Sequence, residues 1–173
     1  MCYRFPQRIC EVGLAGDAWP RKLTATVEQA YARAPYLDAF WPRISAILDG
    51  GHTMLSPLNV ALIRELGIMV GCTAPLYLAS DMQTRDEDPT GRLIGLCREL
   101  GADAYLSGRE GRQYLDRERF AAAGLDLWFQ EAEAVIYPQL HGAFVSHLSV
   151  LDMLFNVGGE AAVHVRGMGR MVG

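Results

Sequence analysis

Two stretches carry most of the chain's potential chemistry. The first is Tyr105-Leu106-Ser107-Gly108-Arg109-Glu110-Gly111-Arg112-Gln113-Tyr114-Leu115-Asp116. Gly108 and Gly111 directly after an apolar triplet would let backbone amides approach a ligand, Ser107 offers a hydroxyl, and Arg109 or Arg112 offers a cation for phosphate or carboxylate. A strand-to-helix turn that needs glycine for its backbone angles accounts for the same residues. The segment lacks the GK[ST] ending of a phosphate-binding loop and the third glycine of a dinucleotide fingerprint, so no cofactor is expected. The second stretch is Ser149-Val150-Leu151-Asp152-Met153-Leu154-Phe155-Asn156, in which Ser149 reads as a helix N-cap with Asp152 at N3 completing a box-like pair. Offsets of three and seven put Ser149, Asp152 and Asn156 on one face. The other residues are apolar, so the helix should be buried and its polar groups must find partners. Asp152 can then cap, orient a loop or ligand, or serve as a base. His141 and His147 lie just upstream, and an imidazole there could act as a general base near neutral pH. Their six-residue spacing fits no metal-binding helix pattern, and no metal is expected. His52 and His164 read as surface residues.

These residues need elements to hold them. Pro20 opens a helix that ends before Pro35, a second runs from Leu37 to Leu48, and a third begins at Ser56-Pro57 and stops at Gly67. Ile68 to Cys72 and Leu76 to Ala79 read as strand material. Pro89-Thr90 opens a helix that stops at Gly101, Ala104 to Leu106 is a buried strand, Asp116 caps a helix ended by Gly124, and Leu125, Leu127 and Phe129 alternate with polar neighbours as a half-buried strand. The expectation is an α/β fold, N-terminal helices followed by alternating strands and helices that form a mainly parallel sheet, in one domain over residues 1–173. The strand ends at Ser80-Asp81, Ser107-Gly108 and Gln130-Glu131 are where ligands of such sheets bind. Residues 163–173 should fray, with Val163 and Val165 available for an edge strand.

A chain of 173 residues, half of them hydrophobic and 21% charged, can bury a core without disulfide or metal staples, which excludes disordered, collagen-like and coiled-coil readings. A formal charge of -4 disfavours a nucleic-acid binder. No run of 18 or so apolar residues is present to span a membrane, and Arg4, Arg8 and Glu11 interrupt any signal-peptide core, so a cytoplasmic protein is expected. Cys2, Cys10, Cys72 and Cys97 show neither CxxC nor zinc spacing and read as reduced, buried thiols.

LGADAYLSGREGRQYLD with the following F-x-x-x-G-L, and YPQLHGAFVSHLSVLDMLFNVG further on, resemble the signature blocks of the WbqC-like proteins of bacteria. AYARAPY, the helix around Asn59 and the LGI at Leu66 to Ile68 extend the resemblance from about residue 10 to 160. The matching positions are Tyr105, Ser107, Gly108, Gly111, Tyr114 and Asp116, then Tyr137, Gln139, Phe144, Ser149, Asp152, Asn156 and Gly158. The resemblance implies a role in O-antigen or other surface-polysaccharide biosynthesis, with glycyl or another acyl group transferred to a nucleotide-linked amino sugar. On that reading Asp152 and His141 are the catalytic candidates, either of them as the base or its orienter. Ser107, Gly108, Arg109, Gly111, Arg112, Tyr114, Tyr137, Gln139 and Asn156 would bind substrate. Partners would be a nucleotide sugar or amino sugar and a glycine donor. Two departures stand out: Ser146 replaces the family's proline, and the family's opening His-Gln-Pro block is absent. The chain is therefore expected to begin midway through the family pattern. The alternative is a truncated, noncatalytic sugar-nucleotide- or anion-binding or assembly module, and missing strands would favour a homodimer over an open sheet edge.

Overall fold

A computed structural model describes residues 7–173, so Cys2 and Arg4 lie outside the described residues. Its elements, in chain order, are a 3₁₀ turn Ile9–Glu11, α1 Trp19–Tyr31, α2 Leu37–Leu48, α3 Leu55–Met69, α4 Pro89–Glu99, β1 Ala104–Ser107, a 3₁₀ turn Arg109–Gln113, α5 Arg117–Ala122, β2 Asp126–Ala132, α6 Val150–Val157, a 3₁₀ turn Gly158–Glu160, α7 Ala161–Gly167 and β3 Gly169–Val172. They fall into two compact units, Met1–Ala74 with Val135–Gly167, and Pro75–Ala134 with Met168–Gly173.

The first unit is helical. Trp41, Ile44 and Leu48 of α2 and Leu58 of α3 are buried, and so is every residue of α6 from Asp152 to Val157. A helix this apolar gains most by being enclosed on all sides, as its sequence predicts. Phe155, fully buried, meets Tyr31 and Trp41 edge-on at centroid separations of 5.1 and 6.1 Å. Its carbonyl accepts from the Tyr36 amide at 3.0 Å. Gly158, at φ +61, lies against the Tyr36 ring so closely that a Cβ there would sit 2.7 Å from Cδ1.

The second unit holds the sheet, in the order β1-β2-β3. β1 runs parallel to β2, with Ser107 opposite Phe129, and β3 runs antiparallel to β2, with Val172 opposite Phe129. One face packs on α4 and α5 through Ile94, Cys97, Leu115, Phe120, Leu125 and Phe129, with Tyr105 stacked on Phe120 at 5.7 Å. Asp88 and Asp116 cap α4 and α5 by accepting from the Gly91 and Arg119 amides. Both helices begin where Pro89 and Asp116 foretell.

Several expectations fail for identifiable reasons. The α/β character holds, but the sheet is mixed, with one parallel and one antiparallel pairing. Ile68 and Met69 are not strand: α3 runs through Gly67 and is closed by Gly71 at φ +73, where the Cys72 amide reaches back to the Gly67 carbonyl at 2.8 Å. That bond needs a left-handed residue at the helix end, which glycine supplies without penalty. Ser56 does not cap α3. The helix starts one residue earlier, at Leu55, whose amide is satisfied by the Val12 carbonyl at 2.9 Å beside an isolated Gly13–Met54 bridge, which places Ser56 inside the first turn. Leu76 to Ala79 pair with no strand, so Ser80-Asp81 is not a strand end. Val163 and Val165 belong to α7, and the segment expected to fray supplies β3 instead, because its amides can complete the free side of β2. Cys97 is buried as expected, whereas Cys10 and Cys72 are exposed.

Candidate functional site

The sequence-predicted residues form two clusters, one in each unit. In the first unit Asp152 is only 4% exposed and its carboxylate accepts from three side chains. Tyr31 Oη donates to Oδ1 at 3.0 Å, while Tyr137 Oη and Gln139 Nε2 donate to Oδ2 at 2.8 and 2.9 Å. Asp152 therefore does not turn back to complete a capping box with Ser149, although Ser149 itself caps α6 by accepting from the Leu151 amide. Asn156 is buried and donates to the Asp152 carbonyl at 2.7 Å, which rigidifies the same helical turn.

Gln139 passes this order outward. Its amide accepts from the Val145 N–H at 2.8 Å and donates to the Val145 carbonyl at 3.0 Å, a two-point clamp on the backbone of the loop between His141 and His147. Both histidines sit at positive φ, 70 and 63. L residues with side chains rarely adopt such angles, and they persist where surrounding contacts enforce them. His141 Nε2 lies 3.0 Å from the Ala30 carbonyl, one residue before Tyr31. A carbonyl can only accept, so Nε2 is the donor in this contact, and the ring is otherwise exposed. The end of α1 thus serves two purposes: its Ala30 carbonyl orients His141 and its Tyr31 hydroxyl is fixed by Asp152. Tyr137 packs edge-on against Phe144 at 5.4 Å, and its ring lies 6.2 Å from that of His164, which is half-buried along with His52.

In the second unit Ser107 is 4% exposed and sits directly beside Gly111, where a Cβ would lie 2.0 Å from the Ser107 hydroxyl. Gly111 is therefore required for close approach. Its φ is not left-handed, and its amide donates to the Gly108 carbonyl at 3.0 Å within the turn. Arg112 is engaged as well: its guanidinium contacts Glu131 at 3.0 Å and lies 5.2 Å from the Phe129 centroid. Glu131 also accepts from Arg170 at 2.9 Å, joining the turn to β2 and β3. Arg109 and Tyr114 face solvent, Tyr114 at 60% exposure. Of the loop's two arginines, Arg109 is the one in no ion pair among the described residues.

Tyr31 lies in the AYARAPY block of the family resemblance but is not among the expected site residues; it is separated from Asp152 by 121 positions, and only the fold joins them. Burial, followed by the hydrogen bond to Asp152, pushes the Tyr31 phenol up to about 12, and burial likewise raises Tyr137. In the second unit three carboxylates lie below their ordinary range: Asp88 chiefly through the Gly91 amide, Glu99 chiefly through the Gln83 amide, and Glu131 chiefly through Arg170. A depressed carboxylate contributes stability that is present above its unfolded pKa and lost as pH falls through its folded value. A raised phenol contributes stability that is present below its unfolded pKa and lost as pH rises through its folded value. Acidification below about pH 4.5 is thus expected to weaken the second unit alone, whereas the first weakens between pH 10 and about 12 and the second shares in that alkaline loss through Tyr105, which burial also raises. Urea midpoints followed by signals from Trp128 and Trp41 would separate the two, and midpoints flat from pH 3 to 12 would refute both assignments.

The sequence pattern of the WbqC-like protein family matches residues 4–164, and the chain belongs to that family. It is similar to the uncharacterized protein Rv1507c of Mycobacterium tuberculosis, with 33% identity over 165 residues that cover 94% of this chain and 71% of that protein. No solved structure matches. No helix among the described residues is long and apolar enough to cross a membrane.

Proposed function

We propose that the chain is a transferase of bacterial surface-polysaccharide biosynthesis, acting in the cytoplasm, that moves a glycyl or related acyl group onto the amine of a nucleotide-linked amino sugar. The observation that carries the catalytic part is the tethered His141, whose Nε2 is committed to the Ala30 carbonyl while the rest of the ring is exposed. In the reaction the amine nitrogen attacks the acyl carbon, a C–N bond forms, and the bond to the donor's leaving group breaks. His141 Nδ1 takes the amine proton and returns it to the leaving group. Asp152 is a positioning residue on this reading, because both of its oxygens are occupied by Tyr31, Tyr137 and Gln139. Tyr137 and Gln139 support the substrate loop, and Asn156 supports the helix beneath it.

His141→Gln is expected to lower glycine incorporation into a nucleotide amino sugar roughly a hundredfold, the low end for loss of a general base, with folding unchanged. Incorporation by the variant at the native rate would remove His141 from the mechanism. A second reading, a noncatalytic binding module, is favoured by the burial of Ser107 and the engagement of Arg112. Ligand-induced stabilisation without turnover in the same assay would select it.

A further inference from the structure

The second unit contains a cleft of about 580 Å³ that the motif residues do not form. It lies between the loop before α4, the exposed side of α4, and α5, and its wall carries Arg85, Arg98 and Arg119 against one carboxylate, Asp86. Two of these guanidiniums are held in place. Arg119 Nη1 rests on Asp88 Oδ2 at 2.6 Å, and Asp88 is itself fixed as the α4 cap, accepting from the Gly91 amide at 2.7 Å. Arg85 donates to the Thr84 carbonyl at 2.9 Å and also contacts the Met82 carbonyl. Arg98 extends from the last turn of α4, exposed and in no ion pair among the described residues.

The floor is shaped for close approach. A Cβ on Gly91 would fall 2.1 Å from Asp86 Oδ2 and 3.0 Å from Arg119 Nη2, and one on Gly95 would fall 2.6 Å from Thr84 Cγ2. These glycines, four apart on one helical face, let the loop and the Arg119 guanidinium lie directly on α4. Glu99 fastens the loop from the other end, accepting from the Gln83 and Thr84 amides at 2.8 and 3.1 Å. The loop is thus secured at both ends, and its arginine is preorganised.

We propose that this cleft is a binding site for a diphosphate group. Three guanidiniums from three elements, against a single lining carboxylate, match a ligand with several anionic oxygens, because each planar fork can engage two of them. The volume is within the range of about 300 to 1,000 Å³ usual for small-molecule sites, so a nucleoside can accompany the diphosphate. The inference does not depend on the acyl transfer proposed above or on Arg109.

The test is calorimetric titration of the full chain with inorganic diphosphate, with a nucleoside diphosphate and with sulfate. Diphosphate should bind at physiological salt and sulfate should not. Arg98→Gln should weaken binding about tenfold, the loss expected for one charge-assisted contact. Because Arg98 is exposed, the variant should keep the native melting profile. Gly91→Ala, which displaces Asp86 with the loop that carries Arg85 and also crowds Arg119, should weaken binding further. Arg109→Gln should leave it unchanged. Tighter binding of the nucleoside diphosphate would identify a nucleotide as the natural source, and equal binding would identify the inorganic ion. No binding of diphosphate, equal binding of sulfate, or a loss confined to Arg109→Gln would each overturn the proposal, and the last would move the anion site to the Ser107 turn.

Discussion

Asp152→Ala is expected to cost the first unit about 3 kcal/mol, since a buried donor left without its acceptor costs about 1 to 3 kcal/mol and two of the three donors here are shielded from water. Tyr137 is 7% exposed and cannot recover a water molecule, and Gln139 Nε2 is turned inward toward α6. Tyr31, half-buried, can do so more easily, which keeps the total below the sum of three full penalties. The truncation also removes a buried charge and so relieves part of its desolvation, another reason the net falls short of that sum. Asp152→Asn should cost less, because either tyrosine hydroxyl can rotate to accept from the new amide, whereas Gln139 Nε2 cannot. The expected order is wild type above Asn above Ala in urea midpoint. With it should come proteolytic sensitivity in the His141 to His147 loop, because Gln139 loses its anchor while still clamping Val145. An alanine variant within about 0.5 kcal/mol of wild type, the range typical of surface changes, would show that the carboxylate organises nothing.

Phe129→Ala should destabilise the second unit by about 3 to 5 kcal/mol, the usual cost of deleting a fully buried aromatic ring. Phe129 is fully buried on the packed face of the central strand, among Ile94, Cys97, Leu115, Phe120 and Leu125. The neighbours that could collapse into the void are strand and helix residues fixed by their own hydrogen bonds, so the cavity should persist. The ring is also the surface on which Arg112 and Arg117 lie, at 5.2 and 4.9 Å. Its loss should free Arg112 to exchange partners and loosen the turn that carries Arg109. Phe129→Leu, which keeps most of the apolar volume but no π face, should recover much of the stability without restoring the order of Arg112. Chemical denaturation followed by Trp128 fluorescence, with amide exchange in residues 108–113, reads both effects. If the alanine and leucine variants unfolded together, cavity formation would not be the cause.

Local signals carried the helix boundaries well. Asp88-Pro89 and Asp116 satisfy free amides within their own first turn, so their effect does not depend on the rest of the fold. The alternation through Leu125, Leu127 and Phe129 likewise fixed which face of β2 turns inward. The end of α3 could not be read in the same way. Gly67 and Gly71 are both chemically able to stop a helix, and the outcome depended on where the Cys72 amide could find a carbonyl. The tail misled for a similar reason: Gly169 to Val172 has weak strand propensity, but β2 offered an unpaired edge.

The same division runs through the candidate site. Ser149, Asp152 and Asn156 on one face of an apolar helix demanded buried partners, and that much followed from spacing and from the cost of burying polar groups. Which partners they found was decided by tertiary structure, because Tyr31 lies 121 residues away and its AYARAPY block, though part of the family resemblance, carries no sign of a contact with Asp152. In the second unit the paired glycines of the Ser107 turn indicated a close backbone approach. What approaches Gly111 is the Ser107 hydroxyl, and Arg112 is taken up by Glu131. By itself, the sequence determined the family, the amphipathic and buried elements, and the need to satisfy Asp152. The tertiary structure decided which donors satisfy it, how His141 is tethered, and which arginines remain open, because those outcomes rest on contacts between residues far apart in the chain, where no local periodicity can specify them.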